Sequence, residues 1–308
     1  MRRSLSLAAV AAVLGLSACD SATPDATADL SAADLQVAAT LVGQALGDQS
    51  EGLVSDLRDM DAGVDARGLL YGEGPLGRGH RPGGPGDGWR GDRQSGTVVY
   101  DSLTGTHRVA YDRAVTMPFG GSNSLHVDLA YVFTDSTGAF LRDPKRDRSR
   151  VARIVFDGER SGATRRTRPG SGATDSSSFS RTATWTLDGL TRPTATFAGE
   201  QTSRGSGAIA TDSGAVRVHT YTVRLRTANA TLTRAAVTAG RPRPELAMTG
   251  TLEYETVFTR TLRDGSTEEK RATGTIDLAT DGRALMRFMG LTPRFDIDLS
   301  TGGARRKH

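Results

Sequence analysis

The spacing of apolar residues changes near residue 96. Before it the period is helical. Leu35, Ala38, Val42 and Ala45 recur three or four apart, the stripe of an amphipathic helix. Ser31 stands three residues before Asp34, a capping-box start that sets a carboxylate at the positive end of the helix, and Gly47 supplies a stop. Leu53, Leu57 and Met60 form a second short stripe that ends before Gly63. Both faces are expected to pack against the rest of the molecule. From residue 63 to 96 the chain holds a dozen glycines together with Pro75, Pro82 and Pro85. With few apolar side chains to offset ordering entropy, this stretch reads as a linker or mobile loop and a boundary.

Beyond Gly96 the period becomes two. Leu125, Val127, Leu129, Tyr131 and Phe133 alternate with more polar or smaller neighbours, the signature of a half-buried strand. Further strands are expected near residues 98–101, 108–112, 151–156, 182–187, 216–226, 252–262, 268–278, 284–288 and 295–299. Asp264-Gly265 and Asp281-Gly282 separate consecutive alternating stretches, a strong hairpin signal. Short turns between successive strands, with nothing helical enough to cross over, predict an antiparallel meander. The expected fold is therefore mainly β: a curved sheet, sandwich or half-barrel behind a short N-terminal helical segment.

The stretch from residue 158 to 178 is polar and low in complexity, a long loop or an extended exposed hairpin. Phe156-Asp157-Gly158-Glu159 echoes Phe197-Ala198-Gly199-Glu200, but two short matches in glycine-rich sequence do not make a repeat protein.

The ends of the chain carry different information. Arg2 and Arg3, an apolar run over residues 5–16, and small residues before Cys19 have the layout of a secretory leader, too short to span a bilayer. Cys19 is the only cysteine among 308 residues, so the remainder has neither a disulfide nor thiol chemistry. Leu16-Ser17-Ala18-Cys19 resembles the lipobox of bacterial lipoproteins. The resemblance covers fewer than twenty residues. It implies diacylglycerol attachment to the Cys19 thiol, cleavage before it, and acylation of the new amino terminus with a palmitate-type chain. The expected organisation is a signal peptide over residues 1–18, a lipidated tether 19–29, a helical segment 30–62, a linker 63–95, a β domain 96–300 and a basic tail 301–308.

Hydrophobic residues make up 37% of the chain and the formal net charge is +4, which falls by two if the leader is removed. A near-neutral exported protein is a poor candidate for nucleic acid. Gly72-Glu73-Gly74-Pro75-Leu76-Gly77 has dinucleotide-binding spacing, but Pro82 and Pro85 forbid the helix whose amino terminus would face the pyrophosphate. Asp59, Asp61 and Asp65 have a calcium-loop look, yet the glycine and glutamate that an EF-hand needs are replaced by Val64 and Leu70. A helix end rich in solvated aspartate explains them. The histidines at 80, 107, 126, 219 and 308 lack zinc spacing; His126 belongs to the solvent phase of its strand, and the face of His219 is ambiguous. No Gly-x-Ser-x-Gly elbow occurs. Glu253/Glu255 and Asp296/Asp298 read as the solvated face of a sheet. Arg90-Gly91-Asp92 is a chance tripeptide in an Arg- and Gly-rich chain. Residues 142–153 and 305–308 are basic surfaces, read as solvated, that would face anionic headgroups or wall polymers if they lie near the anchor.

No catalytic, cofactor-binding or metal-binding residue is assigned; the one assigned site is Cys19, for lipidation. The expectation is a membrane-anchored envelope protein, outside the cytoplasm and without a cofactor, that serves as a non-enzymatic binding or structural module. Its partners would be the membrane, through Cys19, and an envelope protein. The alternatives are a carrier of lipid or another apolar ligand in a curved sheet, with the first helix plugging or lining the cavity, and an enzyme with a dispersed site.

Overall fold

A computed structural model describes residues 30–64, 93–117, 121–167, 174–211, 214–233, 244–262 and 264–307. Cys19, Gly72 to Gly77, His80, Arg90 to Asp92 and His308 lie outside these residues.

Two helices, α1 (Ala32–Leu46) and α2 (Leu53–Val64), precede twelve strands. The strands are β1 (Arg93–Asp101), β2 (Thr106–Met117), β3 (Gly121–Thr134), β4 (Arg153–Thr167), β5 (Thr174–Asp188) and β6 (Thr194–Thr211), then β7 (Gly214–Thr233), β8 (Met248–Thr261), β9 (Thr267–Leu278), β10 (Arg283–Phe288), β11 (Arg294–Asp298) and β12 (Ala304–Lys307). Every strand pairs antiparallel with its neighbours in sequence, giving one open twelve-stranded sheet with β1 and β12 at its edges. The antiparallel meander expected from the turn signals is the fold.

The helices decide how the sheet is shaped. α1 touches β6, β7, β8, β9, β11 and β12. On a flat sheet the six spacings from β6 to β12 amount to roughly 29 Å, whereas a helix is about 10–12 Å across. The sheet must therefore curl around the helix. Accordingly most of α1 is buried: Val37, Ala38, Ala39, Val42 and Leu46 are all inaccessible to solvent, and only a narrow stripe through Ala33, Gln36, Thr40 and Gln44 is half-buried. A helix with so little exposed surface is a core element.

Local chemistry fixes its ends. Ser31 Oγ accepts from the Asp34 backbone N–H at 3.2 Å, and the Asp34 carboxylate accepts from the Ser31 N–H at 2.9 Å, so the capping box is formed. At the other end Gly47 has an extended backbone, so it is not the left-handed cap that a helix-stopping glycine usually supplies. Its value is closeness: a methyl group there would overlap the backbone of Gly302, which itself holds a positive φ of 75°.

The inner rows of the strands make the core. Tyr131 lies 5.3 Å from Phe156 and Trp185 lies 4.8 Å from Phe197, ring centre to ring centre, while Phe288 bridges Tyr254 and Phe295. Gly265 and Gly282 take up φ of 84° and 80° in the two Asp-Gly turns.

Several boundaries differ from the sequence expectation. β6 was hidden because register shifts between Phe197 and Glu200, and again between Gly205 and Gly207, break its alternation. The strands expected near 151–156 and 182–187 are longer: residues 158–167 and 174–178 extend β4 and β5, which pair continuously out to Thr167 and Thr174, as the extended-hairpin reading of that polar stretch anticipates. β1 begins at Arg93, inside the stretch read as a linker. Residues 304–307 of the basic tail form an edge strand, because β11 offers them an unpaired ladder.

Candidate functional site

Where the helices meet the sheet, a polar seam interrupts the apolar core. Arg160 comes from β4, Arg181 from β5, and Gln201 and Ser203 from β6; all four side chains point inward and are buried. Arg160 pairs with Asp56 and, at 2.8 Å, with Asp59, both on α2, and approaches Glu51 at 3.7 Å. Trp185 Nε1 donates to Asp56 at 3.0 Å. Arg181 donates to Ser203 Oγ at 3.0 Å and to the carbonyls of Ser50 and Gln44 at 3.3 Å, and Gln201 donates to the Ala45 carbonyl at 2.8 Å. The last carbonyls of a helix have no partner within it, and α1 carries no basic residue in its final turn. The sheet supplies that cation from outside, where the helix dipole favours it. Burial lowers both guanidinium pKa values to about 10, so each stays charged at neutral pH.

At the other end of α1, Asp34 pairs with Arg260 of β8 at 2.6 Å, and Arg260 also holds Glu268 at 3.0 Å. These contacts pin the helices to the sheet. The calcium-loop aspartates were read as solvated; Asp59 is instead buried against Arg160, which needs its charge. Lone polar residues at inward positions of strands were the only signal for this seam.

Outside the seam lies an open hollow of about 460 Å³, lined in part by Asp112, His126 and Ser161. The three residues sit side by side on β2, β3 and β4. Asp112 holds His126 Nδ1 at 2.7 Å on the exposed side. Nucleophilic catalysis needs the base within hydrogen-bond reach of the hydroxyl, and among the described residues Ser161 makes no such bond to His126. His107 is buried between Tyr100 and Phe133, with Nε2 3.0 Å from the Leu141 carbonyl. His219 is exposed and meets Thr261 Oγ1. Glu255 is held by Arg224 and Arg271, Asp296 by Lys307, and Asp298 accepts from the backbone of Ser300 and Thr301. Glu253 pairs in register with Arg226 and Thr275. Among the described residues no three His, Cys, Asp or Glu side chains come together as metal ligands would, and no helix is long and apolar enough to cross a membrane.

The chain was compared with known protein families, curated proteins and solved structures, and it matches none of them.

Proposed function

We propose that this chain is a lipid-anchored protein of the bacterial cell envelope that acts outside the cytoplasm as a non-enzymatic binding or structural module. The observation that carries the reading is the order of Arg2-Arg3, the apolar run over residues 5–16, and Leu16-Ser17-Ala18-Cys19, with no second cysteine to compete. One acyl chain holds a protein marginally, at about 0.8 kcal/mol per buried methylene, while two or more hold it stably. The module is favoured over a carrier because the chain's own α1 packs on the inner face of β6 to β9, β11 and β12, where its Leu41, Val42 and Leu46 fill the space an apolar ligand would need.

Two measurements test it. Intact mass of protein extracted from membranes is expected to exceed the polypeptide mass by a diacylglycerol and an acyl group, and Cys19→Ser abolishes the gain. An unmodified mass overturns the anchor. Native mass spectrometry of the Cys19→Ser chain, purified without detergent, is expected to show no stoichiometric apolar ligand; a one-to-one lipid would make the carrier the better reading.

A further inference from the structure

Positive charge gathers at one edge of the sheet. Residues 283–307 hold six Arg or Lys against two Asp, a net +4. The register concentrates this charge. Arg287, Arg294 and Lys307 stand directly opposite one another across β10, β11 and β12; exposed Arg305 shares their face, while exposed Arg306 lies on the other face of the edge strand. Like charges directly opposite on a sheet destabilise it. Only two of the three have partners among the described residues: Arg287 meets Asp277 at 2.9 Å and Lys307 meets Asp296 at 3.5 Å, while Arg294 is exposed and has none.

Between β10 and β11 the chain turns at Gly290, whose φ is 73°, and this turn presents Met289 at 60% exposure. Leu291, next to it, packs onto the core. Lys307 pairs with Arg294 at the start of β11, so the end of β12 lies beside this turn. The exposed Met289, at the turn that joins Arg287 to Arg294, is thus the tip of the basic edge.

The helix leads from this same end towards the anchor. The C-terminal half of α1 packs at residues 299–302: Gly43 lies against Gly302, and Asp48 and Gln49 donate to the carbonyls of Leu299 and Ser300. Further back along the helix, Gln36 Nε2 donates to the Ala304 carbonyl at 3.5 Å. Traced backwards, α1 therefore runs past β12 in the direction of Lys307, and Asp34 pins its first turn to Arg260 of β8. Ten residues separate Leu30 from Cys19, which reach at most about 40 Å when fully extended.

We infer that Met289 and the cations Arg287, Arg294, Arg305 and Lys307 form a docking face for the anionic headgroup surface of the membrane that holds the Cys19 lipid. This rests on the anchoring reading. The lipid keeps the body within reach, and the basic edge then orients it: each cation near an anionic leaflet contributes about 1 kcal/mol, or roughly fivefold in the docked population, over a range of about 10 Å at 0.1 M salt. Met289 enters the headgroup layer, and β1, at the opposite edge of the sheet, is left to face away.

The lipidated full chain carrying Met289→Cys tests this, because the diacylglycerol thioether blocks the Cys19 thiol and leaves one free thiol for an environment-sensitive fluorophore. In bilayers of phosphatidylcholine with phosphatidylglycerol, emission is expected to shift to the blue and to be quenched by spin-labelled lipid. Pure phosphatidylcholine, or 0.5 M salt, removes both effects. Neutralising Arg294, Arg305 and Lys307 together with Gln weakens docking on the order of 10²-fold, while the near-ultraviolet dichroism of the variant stays native. Unchanged emission on the anionic bilayer, with the acyl mass present, overturns the docking face and leaves the anchor standing. Capture by a purified anionic wall polymer without lipid quenching overturns it as well. A wild-type chain with one titratable thiol refutes the anchor itself, whatever the bilayer result.

Discussion

Arg160 illustrates how strongly a buried charge depends on its partners. It is enclosed with Asp56 and Asp59, and removing one member of such a group leaves the others desolvated and unpaired. Arg160→Met is expected to cost about 3–5 kcal/mol in urea unfolding. Arg224→Ala, on the exposed face where Glu255 keeps Arg271, should cost under about 1 kcal/mol. Equal losses would mean that the seam is open to water. His107 gives a pH dependence with a definite sign. Burial is the largest influence on it and lowers its pKa below the ordinary 6.5. The unfolded chain therefore binds a proton first, and stability is full above pH 6.5 and declines as pH falls below it. The carboxylates with lowered pKa values, Asp128, Glu268 and Asp298 among them, begin to lose their contribution only near pH 4. Melting temperature followed from pH 8 to 5 should thus fall in the upper window through His107, and His107→Gln, which keeps an N–H for Leu141, should flatten that slope.

At the scale of elements, α1 sets intrinsic propensity against packing. In an isolated helix Gly43→Ala would gain about 1 kcal/mol. Here a methyl group on residue 43 overlaps the Gly302 carbonyl, and the positive φ of Gly302 limits how far that turn can move. The expected outcome is a loss of about 1–3 kcal/mol, read from chemical denaturation; a gain would show that the helix can slide off the 299–302 turn. The same element shows what periodicity conveys and what it leaves out. Leu35, Ala38, Val42 and Ala45 marked a helix, and Ser31 with Asp34 marked its start, because caps and stripes are local. That Val37, Ala39 and Leu41 are equally buried was not visible, since a stripe gives one face and only the surrounding strands supply the others. Strands with unbroken alternation, such as β3, were legible from end to end. β6 was not, because its two register shifts move the inward phase partway along.

Across the whole molecule, one helix and one sheet complete each other. The sheet curls around α1, and α1 keeps only the narrow, half-buried stripe of Ala33, Gln36, Thr40 and Gln44 outside the core. Hydrogen exchange should therefore find the α1 amides protected as strongly as those of β6 to β8, exchanging only through global opening. Exchange in α1 faster by orders of magnitude would reveal a hairpin that detaches on its own, and would reopen the inner face to a ligand. The proposed membrane-facing edge belongs to this scale too. Its cations are scattered between residues 287 and 307, and antiparallel register is what aligns Arg287, Arg294 and Lys307 in one row.

The sequence by itself determined the mainly β class, the antiparallel meander, the two helices with the α1 cap, and the outward phase of His126, because turns, caps and alternation act over a few neighbouring residues. It also holds the Cys19 signal, which is a matter of residue order alone. Only the tertiary structure decided that α1 fills the curve of the sheet, that Asp56 and Asp59 neutralise Arg160, and that the cations of β10 to β12 line up beside an exposed Met289. The first two outcomes join residues that are roughly 100 to 270 positions apart, and such distances are closed by packing and register, on which local patterns carry no information.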